Sequence, residues 1–455
     1  MRLPPRLVAA AVVTVLGVAT GLAVRADGPP PSPGAAADDP LVVHEWGTFT
    51  SVQGADGVSL EGLQHEEEAL PSFVYDRRQV RDCPLRKVGW KGLEVPVHHV
   101  TQKMETPVLY FHTKTPRAVR VRVDFVQGLI SQWYPVVDRL GPPEGARDAG
   151  PLDLRTVARS FVEWDVDLVP RSAPRPAEVP PSGPGTETWD RARAVDAAWV
   201  RTRPRQGPER AGPVEAEHFL FYRGLGTFSV PMTVSIGDDD ALALRNGSAH
   251  EVAQVVAVEV TDGGRRGRWD VVCGVAPGAT AADLLAGREL VDWHGGVEAL
   301  GGDVEKILRG QGMDADEAHA MVATWRRSWF EAEGLRVLYV VPRPLVDAIL
   351  PLSIEPAPAA VRRVLLGRVE CLPPKRVAEL AAVLGALDVA AGPDAPDAER
   401  AGALAERARA IGGRFLEPYL RRVVATTTDA AARRVAQGWL KKLEMEAAAL
   451  AATTR

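Results

Sequence analysis

The strongest constraint on the fold lies in residues 118–127, where apolar and charged side chains alternate. Odd positions from 119 to 125 are valine or phenylalanine, whereas positions 120, 122 and 124 are arginine or aspartate. A strand places successive side chains on opposite faces, so this segment predicts a strand with one buried and one solvated face. Such strands are typical of antiparallel sheets.

Further strand-like segments follow through most of the chain. They are rich in β-branched and aromatic residues and are separated by turns containing glycine or proline. They cover residues 42–52, 107–113, 129–136, 160–169, 215–224, 228–236, 241–245, 252–260, 268–275, 335–341 and 362–372. Short strands at such intervals predict a β-sandwich-like antiparallel body.

Helical periodicity occurs within this body and after it. Asp314 and Glu317 form a capping-box pattern before an apolar stripe at helical spacing, which predicts an inserted helix. From residue 373 onward apolar residues recur every three or four positions, which predicts helices. The predicted fold class is therefore α+β, with a β-sandwich-like antiparallel body, inserted helices and an α-helical C-terminal region.

The N-terminus predicts export. Basic residues precede an apolar run at 7–24, and Ala26 ends a small-residue cleavage site. Residues 1–26 are predicted to be a signal peptide; the alternative is an uncleaved anchor, because this apolar run is just long enough to span a bilayer. Residues 27–40 are predicted to be a flexible linker. Residues 41–372 are the predicted β-rich body, built of two sheets or subdomains, and 373–455 the helical C-terminal region.

Charge and cysteine content argue against two kinds of function. The chain has 54 basic and 59 acidic residues, and removal of residues 1–26 would leave 51 basic residues against the same 59. An acidic balance argues against nucleic acid as a partner, since phosphate binding requires clustered positive charge. Cys83, Cys273 and Cys371 form no CxxC motif, which argues against a redox or metal site of that type. They allow at most one disulfide.

Histidines are concentrated near the start of the predicted body. Five of the nine, including the adjacent pair His98 and His99, lie between His44 and His112. Imidazole and carboxylate groups are the usual ligands of zinc and similar divalent metals, and three of them with an open position make a hydrolytic centre. No HExxH motif is present, so a site would have to be assembled from separate strands.

We therefore consider a metal site with a general base. The candidate metal ligands are His44, His99, His112 and His218, and the candidate catalytic residues are Glu45 and Glu105. Alternation along residues 42–52 places His44 and Trp46 on one strand face and Glu45 on the other. The alternative is that these are hydrogen-bonded polar side chains at strand ends.

A second candidate site is a ligand-binding surface. Its candidate residues are Trp46, Lys103, Tyr222 and Arg223. Aromatic faces can stack on sugars or other flat ligands, and a lysine with an arginine can clamp an anion. The alternative is that aromatic residues at strand spacing belong to the core.

Four segments resemble a set of secreted bacterial proteins of unknown function. They are residues 42–51 (VVHEWGTFTS), 103–112 (KMETPVLYFH), 217–226 (EHFLFYRGLG) and 335–343 (LRVLYVVPR). The resemblance extends over residues 41–372 and weakens in the helical region. It implies an exported location and a common fold, and it brings no activity or catalytic role.

Two functions follow as hypotheses. The first is an exported envelope protein that acts as a non-catalytic binding or structural module, with a glycan, a peptide or an envelope protein as partner. The alternative is an extracytoplasmic, metal-assisted hydrolase that uses the His/Glu cluster of residues 44–112. Either protein would be periplasmic or secreted, and would contact a membrane only through an uncleaved N-terminal segment.

Overall fold

Strands dominate the described chain up to residue 372, and helices follow. The computed structural model describes residues 39–63, 70–77, 97–141, 152–204, 213–237, 240–392 and 397–453, so the predicted signal peptide, His65 and Cys83 lie outside it. The strands are β1 (Val42–Gly54), β2 (Tyr75–Asp76), β3 (Val97–His98), β4 (Gln102–Met104), β5 (Val108–His112), β6 (Arg117–Val126), β7 (Gly128–Tyr134), β8 (Arg139–Leu140), β9 (Leu152–Asp153), β10 (Arg159–Val169), β11 (Trp199–Thr202), β12 (Ala216–Glu217), β13 (Leu220–Gly226), β14 (Met232–Ile236), β15 (Leu242–Asn246), β16 (Val252–Thr261), β17 (Arg266–Val275), β18 (Thr280–Leu284), β19 (Val291–Asp292), β20 (Gly334–Val340), β21 (Leu352–Glu355) and β22 (Ala360–Leu372). The helices are α1 (Glu187–Arg193), α2 (Trp293–Gly310), α3 (Ala315–Arg326), α4 (Arg343–Ile349), α5 (Pro374–Ala390), α6 (Ala398–Gly412), α7 (Leu416–Thr426) and α8 (Ala430–Thr453).

Strand β1 lies in the middle of the main sheet. Within the described residues this sheet has eleven strands in the order β19-β17-β16-β20-β22-β1-β4-β13-β7-β2, with β5 paired to β1 and β13. β1 pairs in parallel with β22 along its whole length, and antiparallel with β4 and β5. The other strand pairs of the main sheet are antiparallel in the part of the chain that the structure describes.

A second sheet covers one face of the main sheet. In the described chain it has six strands in the order β12-β11-β10-β6-β21, with β8 paired to β10. Val121 of β6 and Trp164 of β10 share one core with Phe49 of β1 and Leu109 of β5. The alternation in β6 explains this packing, because its apolar side faces the main sheet. The predicted α+β class and the antiparallel, sandwich-like body are confirmed.

Helices α1, α2 and α3 cover the opposite face of the main sheet. Trp46 of β1 and Tyr110 of β5 share a second core there with Trp189 of α1, Trp293 of α2 and Trp325 of α3. The two faces of β1 are therefore those that its alternation predicts. We call this side of the main sheet the helix-covered face.

Helices α5 to α8 pack against one end of the main sheet. Val52 and Leu372, near the ends of β1 and β22, share a third core with Leu380 of α5 and Tyr419 of α7. The described residues from Asp39 onward form one compact unit. The predicted helical C-terminal region is confirmed. Among the described helices, none carries an apolar stretch long enough to cross a membrane.

The described chain begins two residues before the predicted body, at Asp39. This residue is buried, and its carboxylate accepts hydrogen bonds from the backbone amides of Lys114 and Thr115. The hydroxyl of Thr115 and the amide of Lys114 lower the pKa of Asp39. The end of the predicted linker is therefore fixed to the loop after β5.

Candidate metal centre

Two histidines and one glutamate from three different elements meet on the helix-covered face. His44 lies on β1, His112 on β5 and Glu317 on α3. One ring nitrogen of each histidine and one carboxylate oxygen of Glu317 all lie within 4.8 Å of one another. No other group of three histidine, cysteine or acidic side chains with this spacing occurs among the described residues. These three residues are a candidate metal site, which we call the metal centre.

The strand register brings the two imidazoles together. In the antiparallel pairing of β1 with β5, His44 is opposite Tyr110 and Val42 is opposite His112. Residues two positions apart share a strand face, so both imidazoles lie on the helix-covered face. Their ring centroids are 4.4 Å apart.

Glu317 approaches the imidazoles from the first turn of α3. Its Oε2 accepts a hydrogen bond of 3.1 Å from the backbone amide of Asp314, as the capping-box pattern predicts. The same carboxylate lies 3.0 Å from His44 Nδ1 and 3.9 Å from His112 Nε2. The cap thus fixes the start of the helix and holds the carboxylate beside the histidines. The sequence around Glu317 predicts only this capping role, so its part in the metal centre was missed.

Burial and the two imidazoles shift the pKa of Glu317 in opposite directions. Burial raises the pKa of its carboxyl group, whereas His112 and His44 lower it, and the resulting pKa is about 2. Glu317 is therefore ionised at neutral pH. The Nε2 atom of His112 is buried and has no hydrogen-bond partner among the described residues. A buried polar atom without a partner is unfavourable by about 1–3 kcal/mol, and a metal ion would supply that partner.

Two of the three ligand-atom separations within the metal centre are close to those around a tetrahedral ion, and the third is at most 4.8 Å. Zinc bonds of about 2.0–2.2 Å place neighbouring ligand atoms roughly 3.3 Å apart. The distances from Glu317 Oε1 to the two imidazole nitrogens, 3.0 and 3.9 Å, lie on either side of this value. Two imidazoles with one carboxylate are also the protein ligands of several hydrolytic zinc sites, which keep a fourth position open.

The other two predicted metal ligands lie elsewhere. His99 Nδ1 is 2.7 Å from Glu61 Oε1. The His218 ring packs with its centroid 3.6 Å from that of Trp199. Burial, assisted by the positive charge of Arg171, lowers the pKa of His218 to about 4 and keeps it neutral at pH 7. Neither histidine joins the metal centre.

Glu45 lies on the opposite face of β1 from His44, towards the second sheet. Its Oε1 accepts a hydrogen bond of 2.7 Å from the Tyr222 hydroxyl, and its Oε2 pairs with Arg363. Arg363 also lies 2.8 Å from Asp347. Burial and the Glu45 carboxylate raise the pKa of Tyr222 well above its ordinary value, so the hydroxyl remains a donor. Glu45 belongs to a buried ionic network and lies away from the metal centre.

Glu105, Lys103 and Arg223 are also buried, farther along the sheet. The Glu105 amide donates to the carbonyl of Thr48, which is four residues and therefore about 13 Å from His44 along β1. Arg223 Nε donates to the Glu105 carbonyl at 2.7 Å. Lys103 and Glu105 line a cavity of about 240 Å³ beside α7. Lys103 and Glu105 therefore lie beside the C-terminal helices, whereas Arg223 lines a separate small cavity with Trp46 and Trp325. None of the three belongs to the metal centre.

The candidate aromatic residues belong to the core. Trp46 is 1% exposed and Tyr222 is fully buried. Trp46 stacks on Tyr110 beneath the helices, with ring centroids 5.9 Å apart. Both side chains therefore pack within the core, and Trp46 also lines a small cavity of about 40 Å³ together with Arg223.

Comparisons with known proteins identify no family or relative of this chain. No family model matches the chain, and no curated protein matches it. Among solved structures, the chain is similar to the yeast delta-COP-I mu-homology domain complexed with a Dsl1 WxWxV peptide, at 6% identity. The match covers 73% of this chain and 96% of that one, with a TM-score of 0.22. A likeness this weak supports no conclusion about fold or function.

Proposed function

We propose that this protein binds one divalent metal ion, zinc by the chemistry of its donors, at the metal centre. The observation that carries the proposal is the convergence of two imidazoles and one ionised carboxylate from β1, β5 and α3, with His44 and Glu317 buried and His112 half-buried. Imidazole and carboxylate donors together suit zinc among the common divalent ions. Three protein ligands with an open position are typical of a catalytic rather than a structural zinc site.

The reaction class that suits such a centre is metal-assisted hydrolysis. A bound ion would polarise a carbonyl or phosphoryl oxygen and lower the pKa of a water molecule. The residue placed to accept a proton there is Asp314, whose carboxylate is 3.9 Å from His44 Nδ1 and whose side chain is 52% exposed. We assign Asp314 this role in place of Glu45 and Glu105, because a general base must reach the reacting group.

The position of the metal centre also favours a second, non-catalytic function. Two ligands lie on the main sheet and the third on α3, so a bound ion would hold the helical layer on the sheet. The protein would then be a binding or structural module of the envelope, with a glycan, peptide or protein partner. Its export depends on residues 1–26 and remains a prediction.

Metal analysis of the protein exported to a bacterial periplasm tests the proposal. We expect about one equivalent of zinc in the parent, and its loss in His44→Ala and Glu317→Gln. His319→Ala is the matched control, because His319 lies on the same helix and its Nδ1 is 2.9 Å from Glu305, but its side chain is 74% exposed. A parent that takes up no metal after incubation with zinc would contradict the proposal, as would full occupancy in Glu317→Gln.

Hydrolysis assays separate the two functions. Simple carboxylic and phosphate esters serve as probes for the metal-loaded protein. If the metal centre is catalytic, Asp314→Asn keeps its metal and loses most of the rate. A metal-loaded parent that hydrolyses none of the probes, but melts at a lower temperature once the metal is removed, supports the structural function instead.

A further inference from the structure

A cavity of about 570 Å³ opens at one end of the main sheet, near the metal centre. It lies where β20 ends and β22 begins, and its walls include Arg343, Arg362, Arg363 and Gly312. This volume is in the range of pockets that hold small molecules. The cavity is therefore a candidate ligand site.

Arg362 connects the cavity to the metal centre. In the parallel pairing of β1 with β22, Arg362 is the partner of His44, and neighbouring strands lie about 4.8 Å apart. Arg362 Nη1 is 3.4 Å from Asp314 Oδ1, and Asp314 Oδ2 is 3.9 Å from His44 Nδ1. A ligand bound by Arg362 would therefore lie next to Asp314 and the metal centre.

Of the three arginines in the cavity wall, Arg362 is the one most able to bind a ligand. Arg343 and Arg363 each lie 2.8 Å from Asp347 and are held by it. Among the described residues, Arg362 makes two hydrogen-bond contacts, both of 3.4 Å, to the carbonyl of Gly312 and to Asp314, and these are longer than a good N–H···O bond. Its side chain is also 51% exposed. A guanidinium group that is exposed and held only by long contacts can form two parallel hydrogen bonds to an oxyanion.

The side of the cavity opposite Arg362 carries an acidic residue. His250 and Glu251, just before β16, line it there. The strand order β16-β20-β22 places them about 10 Å from Arg362, two strand spacings away. An anionic group would be repelled by Glu251 and attracted by Arg362. An anionic ligand would therefore pair with Arg362 and avoid the Glu251 side of the cavity.

We infer that this cavity binds a small molecule through a phosphate or carboxylate group held by Arg362, and that this molecule is the ligand or substrate of the metal centre. The second part of the inference rests on the proposed function. Both groups are oxyanions that pair with a guanidinium in the same way, so binding experiments must distinguish them.

Calorimetric titration of the full mature protein with inorganic phosphate and with acetate tests the inference. Each titration is made on zinc-loaded and chelator-treated protein, and the metal content of every sample is measured. We expect at least one anion to bind, and Arg362→Gln to weaken it by roughly ten-fold or more while retaining its metal. Arg265→Gln is the control, because Arg265 is an exposed arginine paired with Asp262 at a distant hairpin.

The outcomes distinguish the two proposals. Equal affinity in the parent and in Arg362→Gln overturns the inference, and so does the absence of binding by either anion. Loss of metal from Arg362→Gln also overturns it, because Arg362 would then act on the metal centre itself. Arg362-dependent binding by a parent that takes up no metal would overturn the proposed function and leave the ligand class of the cavity established. The anion that binds more tightly identifies the group.

Discussion

Replacing Glu45 with glutamine tests whether this residue supports the fold rather than the chemistry. The side chain is buried between the two sheets, where it accepts a hydrogen bond from Tyr222 and pairs with Arg363. Glutamine preserves the size and an acceptor oxygen for Tyr222 but removes the charge. Arg363 then retains Asp347 as its anionic partner.

The expected loss of stability follows from this remaining partner. Removing one member of a buried ion pair costs about 3–5 kcal/mol, because the other charge stays buried without compensation. Asp347 lies 2.8 Å from Arg363 and preserves part of the pairing, although its own side chain is 47% exposed and therefore partly screened by water. We expect Glu45→Gln to lower the free energy of unfolding by about 2–4 kcal/mol. Combining it with Arg363→Met should recover part of this loss, because no charge is then left buried.

Urea unfolding at pH 7, followed by tryptophan fluorescence, measures this free energy. Glu355→Gln is the matched control. Glu355 is 3.8 Å from Arg120 on the surface, and its side chain is 70% exposed, so this change should alter stability by less than about 1 kcal/mol. The metal content of Glu45→Gln should equal that of the parent. A variant with parental stability and no hydrolytic activity would refute this reasoning and return Glu45 to a catalytic role.

Three further predictions concern other parts of the molecule. The pKa of His218 is lowered to about 4, chiefly by burial, so below pH 6.5 the unfolded chain binds a proton that the native state does not. Stability should therefore fall between about pH 6.5 and pH 4, by about 2 kcal/mol after allowance for partial solvent access, and urea midpoints for His218→Gln should show a smaller fall. Gly367→Ala should cost about 1–3 kcal/mol, because a β-carbon there would lie 2.2 Å from the Tyr339 ring; an unchanged urea midpoint would contradict this packing. A chelator should lower the melting temperature of the parent but not of Glu317→Gln, since an ion that binds only the native state stabilises it by about 2.7 kcal/mol at a hundred times its Kd.

Local alternation was sufficient to predict most strands and their buried faces. The segment predicted at 118–127 is β6, Arg117–Val126, and its apolar positions face the main sheet. The same alternation in β1 correctly separates Trp46 from Phe49. The parallel pairing of β1 with β22 was not predictable in this way. Strand pairing over such a sequence distance depends on the packing of both faces, which no short window of sequence contains.

The metal centre was predictable only in part. His44 and His112 stood out because histidines crowd into one segment, and the register of β1 with β5 then brings them together. Glu317 lies 273 residues from His44, and its helix-capping role already accounts for its position in the sequence. His99 and His218 were indistinguishable from the true neighbours by composition alone. Both lie in loops between strands, His99 after β3 and His218 between β12 and β13, and only the folded structure shows that these loops are away from the metal centre.

The parallel pairing of β1 with β22 also sets the order of events during folding. The hydroxyl of Thr48 donates to the carbonyl of Leu366, a contact that closes a loop of 318 residues. Pairings this distant are slow to form, because the entropy of closing the loop is lost before any stabilising contact is gained. Until residues 360–372 are available, one edge of β1 has no strand beside it, and an unpaired edge is a template for aggregation. Chains that stop before residue 360 should therefore aggregate instead of forming a smaller stable protein.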